Sequence, residues 1–241
     1  MSTLETNLVQ PSTGSTLTLG ASGDTVALGT GASSSGFEAG LASVQTFTSS
    51  GTWTKPATGI TKVIIEVQGG GGGGNSSTAL NNVHSGGGGG YAKKFLDVSS
   101  ISSATITVGA AGSGSPSHSG APTAGGDSSW SDGTNTITGN GGPAASENSS
   151  ASNFRGGDGG TATGGDINIP GGSRGDYYSE APPPGSSVLG TPGYPGTTYN
   201  PTAVTAAQLT GKGYGSGGGW KYADAAAGDG APGIVIVWEY K

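Results

Sequence analysis

The sequence predicts an all-β fold, and three observations carry that expectation. Two strong strand patterns, KVIIEVQ at 62–68 and IVIVWEY at 234–240, bracket a stretch that holds 43 of the chain's 52 glycines. No segment repeats its apolar residues at a sustained 3.6-residue period, so no helix of any length is expected. The short apolar runs between the glycines are bounded by Gly, Pro, Asn and Asp, which punctuate strands and turns.

Residues 1–45 form a first segment. Leu17 and Leu19 alternate onto one face, a Gly-Ala-Ser-Gly-Asp turn follows, and Val26 and Leu28 resume the pattern. Strands of about four residues are too short to make a core by themselves. The segment is therefore expected to wrap with two further copies of itself, or to lie as an arm on a partner.

Residues 46–241 form the second segment. Gly51–Ala57 reads as a strand ending at a proline turn. In 62–68, Val63, Ile65 and Val67 share one face, and Lys62, Glu66 and Gln68 share the other with Ile64. Further strands are expected at 91–98 and 104–108, with a hairpin over 130–138 where Asp132-Gly133 is a favoured two-residue turn. In the last strand Ile234, Ile236, Trp238 and Tyr240 face one way and Val235 and Val237 the other, the pattern of a strand covered on both faces. Trp53 and Trp238 are assigned to the core. The expected architecture is a β-sandwich-like domain, closed by its two framing strands, with long glycine-rich insertions.

Composition narrows the function classes. Gly and Pro, 52 and 13 residues, make up about 27% of the 241, and Leu, Ile, Val and Phe about 15%, both in the range of disordered chains. Only 10% of residues are charged, so the disorder profile of low hydrophobicity with high net charge is half met. A net charge of −6 with nine scattered Lys and Arg disfavours nucleic acid, which needs clustered cations. Without cysteine there is neither a disulfide framework nor a thiolate metal site. No apolar run approaches the length of a membrane span. The N-terminus lacks the basic start and apolar core of a signal peptide, so synthesis without an export signal is expected.

The glycine runs Gly69–Gly74 and Gly86–Gly90 are then the central question. Ordering glycine in regular structure costs about 0.5–1 kcal/mol more than ordering alanine, and no side-chain burial can offset it. Backbone hydrogen bonds at very close chain approach can. Extended three-residue helices of the polyproline II type have no internal hydrogen bonds, so every N–H is available to a neighbouring chain. A stack of polyglycine II segments, with polar insertions as surface loops, is the expectation; irregular glycine-rich loop is the alternative. Collagen is excluded, because GGDGGTATGGD and GTPGYPG break the Gly-X-Y period.

SSGTWTKPATGITKVIIEVQGGGGGG at 49–74, followed by GDGAPGIVIVWEY at 228–240, resembles the glycine-rich receptor-binding or tail-fibre domains of tailed bacteriophages. The resemblance covers about residues 46–241, and the segment TLTLGASGDTVALGTGA at 16–32 is similar to the short strands of trimeric phage fibre stems. It implies a homotrimeric virion fibre that touches other virion proteins through residues 1–45 and a host surface glycan or protein through its loops. It implies no catalytic residue, cofactor or metal.

The remaining motifs are weak. Thr210-Gly211-Lys212-Gly213 lacks the Ser or Thr that a P-loop needs after its Lys. Thr161 stands where a calcium-binding repeat requires Asp. Arg174-Gly175-Asp176 and the sequons at Asn75 and Asn148 arise easily in such a composition. His84 and His118 lie in Ser/Gly-rich stretches without a second ligand nearby. Glycosidases work through paired carboxylates, and nothing marks a pair among Asp127, Asp132 and Glu147, so no enzyme is expected.

Aromatic residues carry more. Tyr177, Tyr178, Tyr194, Tyr199, Tyr214 and Tyr222 cluster with Trp220 in the last third, among Pro-Gly turns. Rigid aromatics on loops offer large contact area at low entropy cost, so the six tyrosines are the receptor-binding candidates. The competing assignment, at least as good for Trp220, is that they cap the glycine core. A virion part with an assembly role and no receptor remains the alternative function.

Overall fold

The computed structural model describes residues 40–57, 59–78, 83–145, 158–173, 183–196 and 204–241. The repetitive strands expected at 17–28 lie outside them. Fourteen strands appear among the described residues: β1 Leu41–Phe47, β2 Gly51–Thr54, β3 Lys62–Gln68, β4 Ser76–Ser77, β5 Tyr91–Asp97, β6 Ser103–Thr107, β7 Ser128–Ser131, β8 Thr136–Gly139, β9 Ala162–Thr163, β10 Ile167–Ile169, β11 Gly190–Thr191, β12 Lys212–Gly213, β13 Lys221–Tyr222 and β14 Ile234–Tyr240. One turn of helix, α1 at Ala206–Leu209, is the single departure from the all-β expectation among the described residues.

Ten of the strands build two antiparallel sheets, ordered β1-β14-β3-β5-β10 and β2-β6-β7-β8-β9. The two framing strands are direct neighbours: Ile234 pairs Gln68 at one end and Tyr240 pairs Lys62 at the other. The chain therefore enters and leaves its glycine-rich middle at the same end of one strand pair. β1 pairs β14 from Leu41 to Phe47, so the strand runs through the boundary placed at residue 45.

Period-two alternation places the core between the sheets. Val63, Ile65, Val67, Val235 and Val237 from the first sheet meet Trp53, Ile106, Trp130 and Ile137 from the second, all essentially inaccessible. The two indoles tilt against each other at 51° with centroids 6.0 Å apart, a favourable aromatic geometry. Among these apolar groups lies one carboxylate. Glu239, fully buried, accepts hydrogen bonds from Trp53 Nε1 (2.8 Å), Gln45 Nε2 (2.7 Å) and Ser43 Oγ. It ties β14 to its neighbour β1 and to β2 of the facing sheet.

Two expectations need correction. The last strand is not covered on both faces: Val235, Val237 and Glu239 are buried, while Ile236, Trp238 and Tyr240 on the opposite face are only partly so. Trp238 therefore lies outside the core that holds Trp53, because no further layer of described residues covers the outward face of this sheet. The 130–138 hairpin forms, but its connection is the four residues 132–135. Gly133 takes φ +91° at its tip, and the Asp132 carboxylate accepts the N–H groups of Thr134 and Asn135.

The glycines form a lattice of extended chains. Residues 69–75 donate in strict rotation to three neighbours: Gly69, Gly72 and Asn75 to the carbonyls of Gly90, Gly87 and His84; Gly70 and Gly73 to Gly126 and Thr123; Gly71 and Gly74 to Ala231 and Gly228, all at 2.8–3.0 Å. Their carbonyls accept with the same period of three. Gly142 and Ala145 donate to Gly70 and Gly73, Gly112 and Ser115 to Gly71 and Gly74, and Gly218 and Lys221 to Gly72 and Asn75. One segment thus sits among six others, three antiparallel and three parallel. Gly86–Gly90 occupies a second such position. None of these glycines has positive φ. They are required because neighbouring chains leave no room: a Cβ on Gly71, Gly72 or Gly73 would lie 2.0 Å from the carbonyl oxygen of Ser216, Pro143 or Ser113. Polyglycine II packing is the arrangement that satisfies every backbone group this way.

Candidate functional site

The register of the lattice fixes where its connections emerge. Segments parallel to 69–75 run away from the sandwich, and antiparallel ones return to it. The outgoing stretches are 69–75, 109–115, 140–145, 170–173, 192–196 and 214–221; each is followed by a returning stretch that ends at or near a strand. All six connections, 76–83, 116–122, 146–157, 174–182, 197–203 and 222–226, thus begin from the same end of the bundle, opposite the sandwich. Of these, 116–122 and 222–226 are fully described, and 76–83 in part.

Three of the connections are tied together. β4 and β13 pair in parallel, Ser76 with Lys221 and Ser77 with Tyr222. Ser76 Oγ donates to the Ala223 carbonyl at 2.6 Å. Asp224 accepts both the backbone N–H of His118 (3.2 Å) and its ring Nδ1 (2.8 Å). His118 and Asp224 are about half exposed, so this pin lies on the surface. Its hydrogen bonds from His118 hold the Asp224 carboxyl below the usual carboxylate range. A depressed folded value means the contribution is present above the ordinary titration near pH 4 and lost as pH falls through the lowered value. Accordingly, the two loops are expected to separate on acidification below about pH 4, and the His118 amide resonance in NMR would report it; a resonance unmoved through that range would refute the pin.

The tyrosine candidates do not gather at one place. Tyr222 begins the 222–226 connection at the loop-bearing end. Tyr194 lies on the outgoing stretch 192–196 and is 58% exposed, the most open large apolar side chain described. Tyr214 sits at the other end of the bundle, beside the sandwich: its N–H donates to Leu189, and the neighbouring Gly215 packs on Gln68, the last residue of β3. Tyr177, Tyr178 and Tyr199 lie outside the described residues. Trp220 is fully buried, with the backbone of Gly196 passing directly over its ring. It is a core plug, as the competing assignment held. The His118–Asp224 pair was missed in the sequence, because 106 residues separate its members and neither belongs to a motif.

Among the described residues no group of three or more His, Cys, Asp or Glu is placed to hold a metal ion. Among the described residues, the loop-bearing end exposes Pro116, His118, Ser119, Ala121, Asp224 and Ala226.

A family model described as a glycine-rich domain matches residues 42–240. The chain belongs to that family. The match starts within β1 and stops at the end of β14, so the family unit of a glycine-rich domain is here the sandwich together with its bundle. No curated protein matches the chain.

Proposed function

We propose that this glycine-rich domain is the receptor-binding part of a tailed-bacteriophage fibre protein, and that its loop-bearing end contacts a glycan or protein of the host cell surface. The observation that carries the proposal is that the six outgoing stretches of a backbone-hydrogen-bonded bundle all end on the side away from the sandwich, so that their connections start there. Recognition sites concentrate on loops held by a rigid scaffold, and a lattice that admits almost no side chain leaves its loops as the place where sequence can vary. In this reading the protein does no chemistry. Residues 1–45 attach it to other virion proteins and gather three copies.

Labelled full-length protein applied to a panel of bacterial strains tests the reading. Saturable binding to a subset of strains is expected. A variant in which 116–122 is replaced by a Gly-Ser stretch of equal length should bind at least tenfold more weakly while staying folded by circular dichroism. Protein that binds no strain yet joins fibreless virions would overturn it. That result would favour the second reading, a collar, decoration or tail-tip component with an assembly role, for which the apolar outward face of the first sheet, uncovered by the described residues, speaks.

A further inference from the structure

The outward face of the first sheet is apolar, and its charges are arranged with a symmetry of their own. Across the register, one row reads Thr46, Ile236, Glu66, Lys93, Ile167. The next outward row reads Val44, Trp238, Ile64, Phe95, and the one beyond it contains Lys62 beside Asp97. Phe95, Ile167 and Val44 are 53%, 52% and 42% exposed. The charged groups neutralise one another in place: Glu66 to Lys93 at 3.0 Å and Lys62 to Asp97 at 3.8 Å.

A line drawn along the strands between β3 and β5 divides these rows into complementary halves. On one side stand Ile236, Glu66, Ile64 and Lys62; on the other, at the same levels, Ile167, Lys93, Phe95 and Asp97. A second copy turned by 180° about that line lays Glu66 over Lys93, Lys62 over Asp97, Ile64 over Phe95 and Ile236 over Ile167. Each contact then occurs twice, as a twofold interface demands. Two sheets packed face to face in this way align their strands within about 30° at about 10 Å separation. A partner of unrelated charge pattern would leave these four charges against apolar or like-charged groups.

We infer that this sheet face joins two copies of the chain about a twofold axis. The inference does not rest on the virion reading and is distinct from the trimer assigned to residues 1–45. The mass of the full-length protein by light scattering separates them. Two chains support the face contact alone, and six support both contacts. One chain or three overturns the inference. Charge exchange is the second arm. Glu66→Lys and Lys93→Glu each set like charges against each other across the axis, so each variant alone should show half the wild-type mass. An equimolar mixture should regain the full mass, because the two basic groups at positions 66 and 93 of one variant then face the two acidic groups of the other. Variants that keep the wild-type mass, or a mixture that fails to regain it with both variants folded by circular dichroism, would overturn the twofold contact.

Discussion

Gly72→Ala is expected to destabilise the protein by more than about 4 kcal/mol, the range reserved for gross steric or burial faults. The new Cβ would stand 2.0 Å from the Pro143 carbonyl oxygen and 2.6 Å from its carbon. A side chain can rotate away from such a clash, but a backbone carbonyl cannot. The 140–145 segment is fixed by its own bonds to Gly70 and Gly73, and to Gly87 and Gly90, so it cannot move without breaking several of them. Since whole domains are stable by only about 5–15 kcal/mol, one added methyl removes a large share of the total. Gly51→Ala in β2 is the control. A Cβ there meets nothing within 4 Å and the residue has no positive φ, so a gain of about 0.5 kcal/mol is expected from the smaller entropy of the unfolded chain. Urea unfolding of the two variants tests the contrast. A Gly72→Ala loss under about 1 kcal/mol would mean that the chains are not packed as a lattice.

Glu239→Leu should cost about 2–4 kcal/mol, although leucine is the more natural residue for a site with no solvent exposure. The carboxylate is the acceptor for the fully buried Trp53 indole and for the Gln45 amide. Leucine would leave the buried Trp53 indole without an acceptor, at about 1–3 kcal/mol, and would also remove the bonds from Gln45 and Ser43, although the partly exposed Gln45 amide keeps the Thr54 carbonyl at 3.4 Å. Glu239→Gln keeps an acceptor for Trp53 while giving up the charge-assisted bonds, so roughly half the loss is expected. Denaturant melts followed by tryptophan fluorescence would rank the three proteins. Should the leucine variant match the wild type, the carboxylate would not be what joins β14, β1 and β2.

Much of the sandwich was legible. Alternation along 62–68 placed Val63, Ile65 and Val67 inside, and the framing strands proved to be paired neighbours. Alternation failed at the last strand. Five apolar residues in succession, Ile234 to Trp238, satisfy a strand buried on both sides and equally one buried on a single side, and the sequence contains no sign of whether a further layer exists. Glu239 went unnoticed for a related reason: a lone carboxylate in an apolar strand reads as solvated unless three donors from other elements are known to converge on it. At the loop-bearing end the tyrosines were visible as a cluster in sequence, yet Tyr214 and Tyr222, eight positions apart, stand at opposite ends of one extended segment.

By itself, then, the sequence determined that the chain is β-structured and where its strong strands run, and it left packed glycine backbone and irregular loop both open. Strand periodicity is a local fact, written residue by residue. The tertiary structure decided which carbonyl each glycine N–H meets, which end of the bundle carries the loops, and that His118 closes on Asp224. Those depend on the direction and register of segments up to 160 residues apart, and a run of identical glycines has no side chain with which to encode them. Register is set instead by the strands that anchor each segment.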